Sequence, residues 1–146
     1  MLYKKQLTKE QALQKLKHYC GYQERCHSEV KEKLYTLGVW KKDQDEIIAV
    51  LIEEKYLDEE RFAIAFAAGR FRIKQWGSVK IKYELKQKRV SEYSIKKALK
   101  QIDEADYKKL LHKMAKEKYA SLKNEQPLLR KKKTMDYLMG KNLRWR

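Results

Sequence analysis

The sequence has little of what β proteins, disulfide-bonded proteins and membrane proteins require. It contains one proline and five glycines in 146 residues, and because strand-rich folds reverse direction often, this scarcity indicates helices joined by short turns. Two cysteines are too few for a disulfide framework. No stretch approaches the roughly 20 apolar residues that span a bilayer, and the N-terminus lacks the apolar run of a signal peptide. We therefore expect a cytoplasmic, all-α protein that does not enter membranes.

Motifs that would indicate catalysis or metal binding are also missing. There is no glycine-rich phosphate loop, no H-E-x-x-H and no G-x-S-x-G. Cys20 and Cys26 lie near His18 and His27, but the spacing H-x-C-x5-C-H matches none of the usual zinc patterns, so buried or bystander thiols are the favoured interpretation. The sequence predicts a protein that is not an enzyme, with no catalytic residue, no metal and no cofactor.

The net charge of +16 is distributed unevenly along the chain. Residues 1–67 hold 12 basic and 12 acidic side chains, whereas residues 68–100 hold 11 basic and 2 acidic ones. Residues 107–146 form a second basic block, with 13 basic and 3 acidic side chains. A neutral first half followed by two basic blocks indicates a surface that binds a polyanion, since an even excess would suggest solubility alone.

Helix-capping signals recur at short intervals. Each is a Thr, Ser, Asp, Gly or Pro placed just before a stretch with apolar residues at helical spacing. They predict eight helices, which begin near Thr8, Ser28, Asp43, Asp58, Gly77, Ser91, Asp106 and Pro127. Thr8 with Gln11, and Asp43 with Glu46, have the spacing of capping boxes.

The helix pattern repeats about every 50 residues. A shift of 51 places Leu34 on Leu85, and a shift of 104 places Leu34 on Leu138 and Gly38 on Asn142. The repeat predicts three helix-turn-helix-like units, at residues 1–55, 56–104 and 105–146. The first two have three helices, and the last lacks its third helix. Because so small a unit buries little surface alone, we expect the units to stack into an elongated, curved array.

The middle unit contains a distinctive motif. It consists of the run Tyr56-Leu57-Asp58-Glu59-Glu60-Arg61-Phe62-Ala63, followed by Phe66, Arg70, Gly77, Ile81, Glu84-Leu85 and Lys88. These residues resemble the RecX family, regulators of the bacterial recombinase RecA. We interpret Tyr56, Leu57, Asp58, Arg61, Phe62, Phe66, Gly77 and Leu85 as its structural signature, with Arg61 beside Asp58 at the corner. Arg89 stands where the family usually has glycine, which predicts a different corner before Val90.

The resemblance implies a non-enzymatic modulator, mostly an inhibitor, that lies along the RecA–DNA filament and restrains ATP hydrolysis and strand exchange. Its partners would be the RecA filament and single- and double-stranded DNA, and we expect the chain to act as a monomer. A helix-turn-helix-like DNA-binding regulator is the alternative. The basic helices are rich in lysine, which suits charge neutralisation more than the reading of base edges.

Basic side chains of the second and third units are the candidate contacts to nucleic acid or filament, with solvated helix faces as the plainer interpretation. They are Arg70, Arg72, Lys74, Lys80, Lys82, Lys86, Lys88, Arg89, Arg130, Lys131, Lys132 and Lys133. Lys82, Lys86 and Arg89 are spaced to form one helical stripe. Trp76 is a candidate for stacking on bases. Packing between units is nevertheless favoured for it, because we place Trp40 in the corresponding corner of the first unit, and we expect both rings to pack.

Overall fold

A computed structural model describes residues 7–140, and these residues form eight helices and no strand. The helices are α1 (Lys9–Tyr22), α2 (His27–Thr36), α3 (Lys41–Glu53), α4 (Glu59–Arg72), α5 (Ser78–Gln87), α6 (Glu92–Lys100), α7 (Glu104–Ser121) and α8 (Pro127–Gly140). Within the described range, none of them is both long and apolar enough to cross a bilayer. Asn142, which the repeat aligns with Gly38, lies outside the described residues.

Several helices begin where their capping residues predict. The hydroxyl of Thr8 accepts from the Gln11 N–H at 3.1 Å, and the Gln11 side chain accepts from the Thr8 N–H at 3.0 Å, which completes the capping box. Asp58 and Ser91 cap α4 and α6. Pro127 is the first residue of α8, where its missing N–H costs nothing.

Three predicted helix starts are wrong by two or three residues. The N-caps of α2, α3 and α7 are Cys26, Trp40 and Asp103. Ser28 lies inside α2 and Asp43 in the first turn of α3. Asp106 lies in the first turn of α7. An acidic side chain is stabilising in a helix's first turn as well as at its cap, so the sequence alone does not separate the two positions.

The corner before Val90 is the same as the corner in the first unit, so the prediction of a different corner at Arg89 is wrong. Gly38 has φ of 71° and Arg89 has φ of 62°, both in the left-handed region. Matching hydrogen bonds close the two corners, from Val39 N–H to Leu34 O and from Val90 N–H to Leu85 O, each 3.1 Å long. Arg89 therefore adopts a conformation that favours glycine, with a cation pointing outward in place of a hydrogen atom.

The apolar faces of the helices form two buried clusters. The first is built on α1, α2 and α3, and includes Leu16, Leu34 and Leu51. The second runs from α4 through α8, and in it Phe71 stacks on Tyr107 with ring centroids 6.0 Å apart. Each cluster includes one buried residue from the other side of the predicted boundary between residues 55 and 56. Leu57 packs in the first cluster, and Cys26 packs in the second. The limits of the three units stay a prediction, since the two clusters do not follow them.

Candidate nucleic-acid interface

Two aromatic side chains form the centre of a surface cluster in the second unit. Phe66 lies on α4, and Trp76 lies in the loop that leads into α5. Their ring centroids are 6.4 Å apart in an edge-on arrangement, and Phe66 also contacts Phe62 at 5.7 Å. Both rings are half-buried. Trp76 therefore packs against residues of its own unit and not between units as predicted, and it is only partly covered.

Three of the predicted contact residues surround these rings. The Arg70 guanidinium lies 4.5 Å from the Phe66 centroid and 5.5 Å from that of Trp76. The Lys80 ammonium lies 4.5 Å from the Trp76 centroid, and the Lys88 ammonium 5.9 Å from that of Phe66. We call these five residues the second-unit cluster. A cation is attracted to the face of an aromatic ring, and these contacts hold the cations beside the rings. The surface therefore presents positive charge and aromatic side chains together.

Further cations of the second unit are exposed. Arg72, Lys74, Lys82 and Arg89 have no ion pair within the described part of the chain. Lys86, the middle member of the predicted stripe, contacts Glu92 at 3.1 Å. That pair is solvent-exposed, and exposed ion pairs stabilise little, so the lysine is available to exchange partners.

Two of the four cations in the basic run of the third unit are engaged within the protein. The Arg130 guanidinium stacks 3.7 Å from the Tyr119 ring centroid, and its Nε donates to the Tyr119 carbonyl at 2.6 Å. Lys133 contacts Glu125 at 2.7 Å. Lys131 and Lys132 are exposed and have no ion pair among residues 7–140. The four residues are adjacent in sequence but differ in what they can offer a ligand.

Arg61 joins the first and second units rather than contacting the Asp58 carboxylate. Its Nε donates to Glu24 at 2.8 Å, and its terminal nitrogen donates to the Lys55 carbonyl at 2.9 Å. Asp58 accepts only the backbone N–H of Arg61. The corner is held as predicted, but by a partner 37 residues away in sequence, which local spacing does not indicate.

The other signature residues have structural surroundings. Leu57, Phe62 and Leu85 are buried, and Tyr56 is half-buried against the first core cluster. Gly77 is the N-cap of α5. None of them presents a reactive group, so the signature describes how the middle unit is built.

A second contact between the units was not predicted. The Ser28 hydroxyl donates to the Lys88 carbonyl at 2.8 Å, across 60 residues of sequence. Glu29 lies 3.8 Å from the Lys88 ammonium. A serine before an apolar stretch usually caps a helix, and this is why the sequence predicts a cap at Ser28. Its hydroxyl instead fixes α2 against the end of α5.

The end of the first helix in each unit carries one recurring arrangement, a cation stacked on an aromatic ring. In the first unit, the Arg25 guanidinium lies 3.8 Å from the Tyr19 ring centroid, and its Nε donates to the Tyr19 carbonyl at 3.1 Å. A shift of 51 aligns Tyr19 with Arg70 and Arg25 with Trp76, so the second unit has the same pair with cation and ring exchanged. Arg130 and Tyr119 make the same two contacts as the first-unit pair, although a shift of 104 does not align the two pairs.

This alignment corrects the predicted correspondence between the tryptophans. Trp40 is the N-cap of α3, and a shift of 51 places it on Ser91, the N-cap of α6. Its side chain is 69% exposed, so the packing predicted for it is wrong. Trp76 belongs to a different corner, before the second helix of its unit.

The cysteines are buried, as predicted, and are not paired with each other. Burial raises the pKa of both the Cys20 and the Cys26 thiol, which favours the protonated form over the thiolate that binds metals or attacks substrates. Across residues 7–140 there is no group of three or more His, Cys, Asp or Glu side chains arranged to hold a metal ion.

Fold and surface together define a class: an all-helical protein of tandem three-helix units with a basic, aromatic-bearing face. The profile of the second three-helix domain of RecX matches residues 58–99. The regulatory protein RecX of Clostridium tetani is 36% identical over 119 residues, which are 80% of this chain and 54% of the relative. The chain belongs to the RecX family.

Other comparisons agree. The regulatory protein RecX of Salmonella paratyphi C is 40% identical over 77 residues, which are 53% of this chain and 45% of the relative. The chain thus spans about half the length of these curated relatives. The crystal structure of RecX from Lactobacillus salivarius shares the fold, with a TM-score of 0.85 at 20% identity, over 91% of this chain and 86% of that one.

Proposed function

We propose that the protein is a non-catalytic regulator of RecA that binds along the RecA–DNA filament and restrains ATP hydrolysis and strand exchange. Membership of the RecX family supports RecA as the partner. In this proposal the chain acts as a cytoplasmic monomer without a cofactor and binds the RecA filament and single- and double-stranded DNA.

The observation that carries the proposal is the surface of the second unit. The second-unit cluster and the exposed Arg72, Lys74, Lys82 and Arg89 lie within or beside the segment that matches the family profile. Lysines and arginines without acidic partners suit phosphates or acidic protein surfaces, and half-buried rings suit unpaired bases. A filament that presents DNA and protein together offers all of these ligands.

The test is an ATPase titration with RecA assembled on single-stranded DNA. We expect the protein to lower the rate of ATP hydrolysis in a dose-dependent way. A variant with Lys82→Glu, Lys86→Glu and Arg89→Glu should need at least about thirtyfold more protein for the same inhibition, because reversal replaces phosphate attraction by repulsion at three positions. Wild-type protein that leaves RecA turnover unchanged would contradict the proposal.

A matched control distinguishes this surface from net charge. Lys31, Lys41 and Lys42 are exposed cations of the first unit, and changing all three to Glu alters the net charge by the same amount. We expect that variant to inhibit within about threefold of wild type, a small change by the measure of exposed charges. Equal loss in both variants would show that general electrostatic attraction, and not this face, accounts for inhibition.

The helix-turn-helix-like alternative is separated by two further measurements. Excess free single-stranded DNA should leave inhibition in place if the chain also contacts RecA, whereas a protein that only competes for DNA would be titrated away. Selection of binding sites from random duplexes should give no defined motif. A strong consensus motif would favour a sequence-specific regulator instead.

A further inference from the structure

A groove in the first unit is lined by cations and tyrosines, although that unit is neutral in total. Its volume is about 470 Å³, within the range of ligand pockets. Lys15, His18 and Tyr22 line it from α1, Arg25 from the following loop and Lys33 from α2. The α1 residues recur at intervals of three and four, so they lie along one helix face.

The charges in this groove lack acidic partners. Lys15, Arg25 and Lys33 form no ion pair with any described residue, and no acidic side chain lines the groove. Glu29 has its carboxylate engaged elsewhere, by the Cys26 N–H at 3.1 Å and by Lys88 at 3.8 Å. Cations gathered without counter-charges favour an anionic ligand.

The tyrosines have different surroundings. The Tyr19 ring is covered by the Arg25 guanidinium at 3.8 Å and approached by the Lys33 ammonium at 5.5 Å. The Tyr19 ring therefore holds the charged groups of Arg25 and Lys33 within the groove. Tyr22, the last residue of α1, is 79% exposed. Its ring is available at the rim, beside the cations, with no partner ring among the described aromatic pairs.

We propose that this groove binds an unpaired nucleotide of single-stranded nucleic acid, with phosphates on Lys15, Arg25 and Lys33 and the base stacked on Tyr22. Charge beside an exposed aromatic ring is the combination that sequence-tolerant single-strand binding uses. A base in a duplex has both faces covered by its neighbours, so stacking on Tyr22 requires an unpaired base.

The repeat relates the groove to the surface proposed for the second unit, and this part of the argument rests on the proposed function. The Tyr19–Arg25 corner is the counterpart of the Arg70–Trp76 corner in the second unit, 51 residues away. The proposal extends the nucleic-acid surface of the proposed function to the first unit but does not depend on RecA. A failure in the ATPase titration and a failure of the following measurement are therefore separate results.

The test compares two tyrosines of equal exposure. Tyr22 is 79% exposed and lines the groove, whereas Tyr35 is 80% exposed and does not. Fluorescence anisotropy would give the Kd of wild type, Tyr22→Ala and Tyr35→Ala for a labelled oligothymidine of 12 nucleotides and for a 12-base-pair duplex, without RecA. Loss of one stacking ring should raise the single-strand Kd of Tyr22→Ala at least about fivefold.

The remaining arms fix the kind of ligand. Tyr22→Ala should leave the duplex Kd within about twofold, and Tyr35→Ala should leave both Kd values so, since neither removes a stacking ring from the contact. The double variant Lys15→Gln, Lys33→Gln should reduce the slope with which the single-strand affinity falls as the salt concentration rises, because it contacts fewer phosphates. Equal effects of the two tyrosine variants would overturn the proposal. Tyr22-dependent binding of thymidine monophosphate, without such dependence for the oligonucleotide, would overturn it too.

Discussion

The corner after the first helix is built from the same two positions in the first and second units, with the aromatic and the cationic residue exchanged. In the first unit, Arg25 in the loop covers Tyr19 on the helix. In the second unit, Trp76 in the loop lies beside Arg70 on the helix. The exchange moves the ring from the helix into the loop, where it is half-buried, as Tyr19 is, and has Lys80 beside it.

The exchange also changes how the helix end is held. In the first unit, the side-chain Nε of Arg25 donates to the Tyr19 carbonyl at 3.1 Å. In the second, the backbone N–H of Trp76 donates to the Arg70 carbonyl at 3.1 Å. A backbone donor is present whatever the side chain, whereas a side-chain donor is not. In the second unit, neither corner side chain is needed for this hydrogen bond, so both are available for binding. In the first unit, the hydrogen bond depends on the Arg25 side chain.

The largest expected effect concerns the ring that the exchange places in the loop. Trp76→Ala should weaken binding of single-stranded DNA about tenfold or more, because stacking on one base contributes roughly 1–3 kcal/mol. Binding of duplex DNA should change less. Anisotropy titrations against both ligands at constant salt would measure the two effects.

Trp40 provides the control for this change. It is 69% exposed, belongs to a different corner, and has no ring or cation contact among the described residues. Trp40→Ala should leave single-strand affinity within about twofold, if only rings held beside cations contribute to stacking. Similar losses for both tryptophans would show that any surface ring suffices and that the cluster has no special role.

The next effect concerns stability. Arg25→Ala removes both the ring contact and the donor to the Tyr19 carbonyl, and should lower the free energy of unfolding by about 1–2 kcal/mol. Arg70→Ala removes only ring contacts, and should lower it by about 0.5–1 kcal/mol. Urea denaturation followed by circular dichroism would measure both, with exposed Lys31→Ala as a variant that should change little. A larger loss for Arg70 would invalidate the distinction drawn between the two corners.

Local signals in the sequence were enough to predict eight helices and their repeat. Capping residues and apolar spacing act within one or two turns, so Thr8, Asp58, Ser91 and Pro127 mark helix ends correctly. Where several residues satisfy the same helix end, as Asp103 and Asp106 do, the pattern locates the helix and misses its first residue.

The candidate site was less predictable because its geometry depends on contacts between distant residues. Arg130 and Lys131 contribute equally to the net charge of the sequence. In the structure, however, Arg130 stacks on Tyr119 and Lys131 is exposed. The groove in the first unit was missed because its cations are offset by acids elsewhere in residues 1–67. The signal for this corner in the sequence is the alignment of Tyr19 and Arg25 with Arg70 and Trp76 at a shift of 51.

Effects of about 1 kcal/mol or less are expected at the corners of Gly38 and Arg89, which share a left-handed backbone. A Cβ at Gly38 would meet no atom within 4 Å, so the cost of Gly38→Ala comes from its φ of 71° and should be about 1 kcal/mol of unfolding free energy. Arg89→Gly should raise stability by about 0.5 kcal/mol, because relief of strain slightly exceeds the added entropy of the unfolded chain.

Gly21→Ala gives this last pair a control of opposite sign. Gly21 lies inside α1, its φ is not positive, and a Cβ there also meets nothing within 4 Å. Alanine should therefore stabilise by about 0.5–1 kcal/mol through helix propensity. If Gly38→Ala stabilised as Gly21→Ala does, backbone strain would not be what distinguishes the corners. The left-handed backbone at Arg89 would then cost no stability either. If instead Arg89→Gly raises the free energy of unfolding, the arginine destabilises the fold, as is expected of a residue whose role is to contact a ligand.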